Sequence, residues 1–121
     1  MKKYEIDTRE NREFAGLMRE ELLDFGKGFA SPEGGAYYLG DDGTPWRDRP
    51  RETWITCRMA HVYSMGEMLG HKGSRQIAQS MLRGLCGELH DDANGGWYSI
   101  SWLLSSRSTE KDTDAAGLPY R

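Results

Sequence analysis

One stretch of this chain joins reactive side chains to a helical period. Trp54, Arg58, His61 and Met65 recur at three- and four-residue steps and so share one face of a helix. An arginine and a histidine one turn apart cannot sit in a dry core without partners, because each loses its hydration there. That face is therefore expected to look into a polar cavity. A guanidinium presents five fixed donors, stays charged at any relevant pH, and suits hydroxyl and carbonyl oxygens. Taken on the residues alone, Arg58 reads equally well as a buried ion-pair partner, His61 as a hydrogen-bonded core histidine, and Trp54 and Trp97 as packing residues. His71, in Gly70-His71-Lys72-Gly73, reads as a loop residue, and His90 meets the negative pole of the preceding helix. Three histidines without a cluster of cysteines or carboxylates make no metal site, and no phosphate loop or nucleophile elbow is present. Hence no catalytic residue, metal or cofactor is assigned.

Three helices are predicted to position these groups. The first, over about residues 8–25, carries Phe14, Leu17, Met18, Leu22 and Phe25 on one stripe, opposite Arg12, Arg19, Glu20 and Asp24. The third, over about residues 74–89, repeats Ile77, Ala78, Met81, Leu82, Leu85 and Leu89 at three- and four-residue steps. Both have the pattern of half-buried helices. The second, over about residues 53–69, adds an Ile55, Met59, Val62, Gly66, Leu69 stripe to the face bearing Arg58. A helix apolar nearly all round is expected to be surrounded by protein.

Between the helices the chain repeats itself. Gly34-Gly35-Ala36-Tyr37-Tyr38-Leu39 returns as Gly95-Gly96-Trp97-Tyr98-Ser99-Ile100, an offset of 61. Each string has the Gly-Gly-aromatic pattern of a turn entering a strand, and the first continues to Asp41-Asp42-Gly43, a good hairpin tip. Two short β-hairpins are therefore predicted. The order amphipathic, buried, amphipathic suggests an α/α barrel in which inner helices line a central cavity. Such repeats bury their apolar faces only against neighbours. Residues 1–104 are assigned to this unit, and 105–121 to an irregular, disordered tail, because no helical period continues beyond Ser105.

Composition narrows the setting. Sixteen Lys and Arg stand against nineteen Asp and Glu, for a formal charge of -3 with no block of one sign, which argues against a nucleic-acid partner. No apolar run follows Lys2-Lys3, so neither a secretory leader nor a membrane partner is expected. Cys57 and Cys86 fall inside helical patterns and are expected to be buried, reduced thiols of a cytoplasmic protein.

At Thr53-Trp54-Ile55-Thr56-Cys57-Arg58-Met59-Ala60-His61-Val62-Tyr63-Ser64 the chain resembles the N-acylglucosamine 2-epimerase superfamily, especially its mannose and sulfoquinovose isomerase branch. Asp24-Phe25-Gly26, the Asp-Gly hairpin tip and Gly95-Gly96-Trp97-Tyr98 agree in order and spacing, so that the likeness covers about residues 10–100. The resemblance implies an all-α fold, an (α/α)6 barrel of which this chain holds about three helices. It also implies aldose–ketose isomerisation or 2-epimerisation of a small-molecule sugar through an enediol. Arg58 matches the family's sugar-contacting arginine, and Trp54 and His61 would line or support the same pocket floor. The family's proton-transferring histidines have no match here. The loss of pattern after the second Gly-Gly string is expected to reflect an incomplete barrel, inactive alone. The alternative is a non-catalytic sugar- or partner-binding module that uses the exposed inner helix, with self-association through exposed apolar faces.

Overall fold

The structure, a computed structural model, describes residues 4–101; the expected tail from 105 to 121 lies outside the described residues. Helix α1 (Arg9–Phe25) starts where Thr8 caps it, the threonine Oγ1 accepting the Asn11 N–H at 3.2 Å. It ends at Gly26, the first residue of a 3-10 turn over Gly26–Phe29. Helix α2 (Thr53–Met68) and helix α3 (Ser74–Cys86) fold back on each other through a loop in which Gly70 and Gly73 take positive φ. The core lies between them and joins Leu23, Ala36, Ile55, Tyr63, Ile77, Ala78 and Met81. Helix α3 stops at Cys86, short of the predicted residue 89, because Gly87 leaves helical geometry at φ -115° and ψ -111°.

Two small antiparallel sheets complete the fold. Strand β1 (Tyr38–Leu39) pairs with β2 (Pro45–Trp46), Tyr38 opposite Trp46. This is the predicted hairpin, closed by the Gly40 N–H donating to Thr44 C=O and the Thr44 N–H donating to Asp42 Oδ1, both 2.9 Å. The second expected hairpin is replaced by a long-range pair: β3 (Arg51–Glu52) takes β4 (Ile100–Ser101) as its partner, Glu52 opposite Ile100. This mostly helical make-up, three helices with two two-stranded sheets among the described residues, is that of part of an α/α barrel.

The internal repeat is present in the hydrogen bonds themselves. Around the first Gly-Gly, Ser31 N–H donates to Gly35 C=O, Tyr37 N–H to Phe29 C=O, and Ala30 bridges Ala36. Around the second, Asp91 N–H donates to Gly96 C=O, Tyr98 N–H to Leu89 C=O, and His90 bridges Trp97. Gly34, Gly35, Gly95 and Gly96 all have φ between +78° and +103°, which a side chain would strain.

Two expectations are corrected. The apolar stripe of α1 faces outward: Phe14, Leu17 and Leu22 are each more than 60 % exposed, and only Leu23 is buried. The core meets α1 near its C-terminal end, where Tyr63 Oη donates to Leu23 C=O at 2.8 Å and Gly26 touches that hydroxyl. Cys57 and Cys86 are exposed free thiols. Cys57 sits beside Arg58 on the uncovered face of α2, and Cys86 ends the last turn of α3.

Backbone contact sets the packing of α3. A Cβ at Gly84 would collide with the backbone of Gly34 and Gly35, while Ser80 accepts the Gly35 N–H at its carbonyl and donates its hydroxyl to Ser31 C=O. Gly84→Ala should cost about 2 kcal/mol by overpacking. Gly16→Ala, in open space on α1, should instead stabilise by about 0.5–1 kcal/mol. Urea unfolding of both variants checks the contrast, and an unaffected Gly84→Ala would refute the close approach. Burial, with Asp24 nearby, pushes the Tyr63 hydroxyl up to about 12 from 10.0. Its pKa is raised on folding, so its contribution is complete below pH 10 and is lost as pH rises towards 12. Tyr63→Phe should lower stability by about 1 kcal/mol at neutral pH and flatten that alkaline decline, as unfolding curves across the interval would show.

Candidate functional site

The first two turns of α2 are held from behind by its threonines. Thr56 Oγ1 donates to Glu52 C=O at 2.7 Å and accepts the Ala36 N–H at 3.1 Å. Thr53 Oγ1 donates to Tyr98 C=O, and the Thr53 N–H donates to Ser99 C=O at 2.9 Å. One threonine thus binds each Gly-Gly turn to the helix start. Ile55 and Tyr63 face the core, so Trp54, Cys57, Arg58, His61, Ser64, Met65 and Met68 are left on the opposite side. Among the described residues nothing covers that side, which departs from the surrounded helix expected of its apolar pattern.

A cavity of about 580 Å³ opens at the N-terminal end of this face, within the size range of small-molecule sites. Trp54, Ile55, Arg58 and Met59 of α2 form one wall; Tyr38, Leu39, Gly40 and Asp41 of the hairpin form another; Phe25 and Phe29 close the end near α1. The Arg58 guanidinium lies over the Trp54 ring, 5.3 Å from its centroid, and has no carboxylate partner among the described residues. Glu52 ties the walls together: its carboxylate accepts from the Trp54 indole N–H and from the Tyr38 hydroxyl. The Tyr38 hydroxyl is raised above its ordinary pKa chiefly by that bond, then by burial. Arg49 stacks on Tyr38 at 4.3 Å and on Trp46 at 5.5 Å, stiffening the hairpin wall.

The structure therefore brings Trp54 and Arg58 together in one cavity. His61 stands one turn further along the same exposed face, outside the cavity lining. Reasoning from sequence missed Tyr38, Asp41 and Glu52, although a hairpin ending just before a helix start was a signal that its tip would stand over that helix. It also missed His71. That ring is 4 % exposed, its Nε2–H donates to Asp24 Oδ1 at 2.8 Å, and its Nδ1 lies 2.7 Å from Ser74 Oγ. The hydrogen bond from His71, followed by that from Lys27, holds the Asp24 carboxyl below the ordinary range. Among the described residues no group of three or more His, Cys, Asp or Glu could hold a metal ion, and no helix is long and apolar enough to cross a membrane.

Comparison with known proteins gives this geometry its context. The family model for N-acylglucosamine 2-epimerase matches residues 34–116. The chain belongs to the N-acylglucosamine 2-epimerase family. It is 36 % identical over 92 residues to a D-mannose isomerase of Thermobifida fusca, covering 76 % of this chain and 22 % of that protein. It is 32 % identical over 91 residues to a D-mannose isomerase of Pseudomonas cannabina pv. alisalensis, covering 75 % of this chain and 22 % of the relative. The chain thus spans about a fifth of the length of these curated relatives.

The motifs that resemble the epimerase family now have physical roles. In Asp24-Phe25-Gly26, Asp24 holds His71, Phe25 lines the cavity, and Gly26 leaves room for the Tyr63 hydroxyl. In the string from Thr53 to Tyr63, two threonines clamp the turns, two residues fill the core, and Trp54 and Arg58 face the cavity.

Proposed function

We propose that this chain supplies the sugar-binding wall of an aldose–ketose isomerase or 2-epimerase of carbohydrate metabolism. Arg58 contacts the sugar's oxygens, Trp54 meets a ring face, and His61 extends the same surface one turn on. The observation that carries this reading is a guanidinium without a carboxylate partner, stacked on an exposed indole at a cavity of small-molecule size. Its family membership and the names of its D-mannose isomerase relatives support the choice of substrate class.

The chemistry follows from what such a wall can do. Isomerisation next to a carbonyl moves a proton between neighbouring carbons through an enediol, so charge builds on the carbonyl oxygen as the proton leaves. Donors already aimed at that oxygen lower the barrier, and a guanidinium supplies them without reorganising. A base must remove the proton and an acid must return it. Among the described lining residues no histidine stands beside Arg58 to do so, and the chain alone is inactive on this reading. A cytoplasmic setting belongs to the same proposal, supported by the unpaired thiols of Cys57 and Cys86.

A second reading is favoured by the outward stripe of Phe14, Leu17, Met18, Leu22 and Phe25: the chain is a non-catalytic module that self-associates through α1. The purified chain should show no mannose–fructose interconversion, and measurable conversion would overturn the proposed inactivity. It should bind D-mannose, with Arg58→Ala weakening binding by about tenfold through loss of charged hydrogen bonds. Binding untouched by Arg58→Ala would remove the guanidinium from the site. Size-exclusion chromatography tests the module: a defined oligomer that Leu17→Asp converts to monomer supports self-association, and a wild-type monomer excludes it.

A further inference from the structure

A sugar hydroxyl both donates and accepts, so a binding wall must offer both functions. Apart from Asp41, the side chains that line the described cavity offer the Arg58 guanidinium as donor and few acceptors. Phe25, Phe29, Leu39, Ile55 and Met59 offer neither, and Arg58 can only donate. The Trp54 indole N–H is committed to Glu52, as is the Tyr38 hydroxyl proton.

Three carboxylates surround this site, and two of them have structural work. Glu52 ties Tyr38 to Trp54, and Asp42 accepts the Thr44 N–H that closes the hairpin. The third, Asp41, lines the cavity, and its carboxylate forms no hydrogen bond or ion pair with the described residues. The neighbouring aspartate already performs the turn's hydrogen bonding, so the turn does not need Asp41.

The geometry points to Asp41 as a substrate-binding residue that also sets specificity, accepting hydroxyl protons of a neutral sugar across the cavity from Arg58. This inference rests on the proposed sugar site. A carboxylate has two acceptor oxygens and suits a pair of neighbouring hydroxyls. Its charge also offsets the guanidinium. Without Asp41 the cavity would present Arg58 alone and favour anionic sugars; with it, a phosphate or sulfonate meets a like charge. Asp41 therefore selects for uncharged substrates, while Arg58 reads the oxygens they share with charged ones.

The experiment titrates the full chain with D-mannose and with D-mannose 6-phosphate, following the Trp54 indole resonance, in the wild type, Asp41→Ala, Asp41→Asn and Arg58→Ala. Far-UV circular dichroism confirms that the variants are folded, which the exposed position of Asp41 favours. Asp41→Ala should weaken mannose binding by about fivefold, since a charged hydrogen bond at an open site is partly replaced by water. It should tighten mannose 6-phosphate binding by about threefold at low salt. Asp41→Asn should gain the same phosphate affinity while keeping more of the mannose affinity. Mannose binding that depends on Arg58 yet is unchanged for both probes in Asp41→Ala overturns this inference and leaves the sugar site standing. No binding of either sugar by the wild-type chain overturns both.

Discussion

Everything described in this chain meets at the first turn of α2, where Thr56 must be satisfied by two partners at once. Its hydroxyl is fully buried, so it can neither be hydrated nor left half bonded without cost. It gives its proton to Glu52 C=O and receives the Ala36 N–H, which joins the strand before the helix to the turn after α1. Thr53 does the same for the second Gly-Gly turn through Tyr98 and Ser99. The helix start is thereby fixed relative to both hairpin-like turns. With it are fixed Glu52 just before the helix and Trp54 and Arg58 just inside it. The hairpin leaves the first of these turns directly after Ala36, and the cavity lies between it and the helix start.

The repeated turns explain how so small a core holds this arrangement. Each Gly-Gly turn follows a helix, accepts one cross-strand bond and hands the chain back toward α2. In the first, the backbone of Gly34 and Gly35 lies directly on Gly84, so α3 approaches the turn without any side chain between them. Arg51 is buried in the same region, at 2 % exposed, and donates to Gly34 C=O. A charged side chain in that position costs solvation, and the carbonyl returns part of it. The fold is thus knitted mainly through backbone groups that the glycines expose, with apolar burial concentrated between α2 and α3.

Much of this was legible in the sequence, for physical reasons that differ by element. The caps and periods of α1 and α2 are local, and their observed bounds lie within a residue of the predicted ones. The turn repeat is likewise local, because positive φ at paired glycines leaves a compositional mark. Pairing is not local. Nothing in Ser99-Ile100-Ser101 says that its partner lies at Arg51–Glu52, almost fifty residues back, in place of an adjacent strand. His71 was unreadable for a similar reason: its loop position is plain, but its burial depends on Asp24 arriving from another helix. The thiols were misread because apolar periodicity identifies a face without identifying what covers it. Within the candidate site, Trp54 and Arg58 share a helical face by period alone, whereas Asp41 and Tyr38 reach it only through the hairpin fold.

The two faces left uncovered by the described residues differ in chemistry, and the difference bears on what each is for. That of α1 is mainly apolar, with Phe14, Leu17, Met18 and Leu22 at helical spacing and Glu21 among them. Water gains nothing from such a stripe, so its composition makes sense only as a packing surface. The face of α2 alternates: Trp54, Met65 and Met68 stand beside Arg58, His61 and Ser64. Packing that mixture against another protein surface would bury a guanidinium that has no carboxylate partner among the described residues, at a cost that apolar contact does not readily recover. Left facing a solvated hollow, the same residues keep their hydration until a ligand replaces it. The polar members of the α2 face therefore mark the side that must stay wet, and the mainly apolar stripe of α1 marks a side suited to being covered.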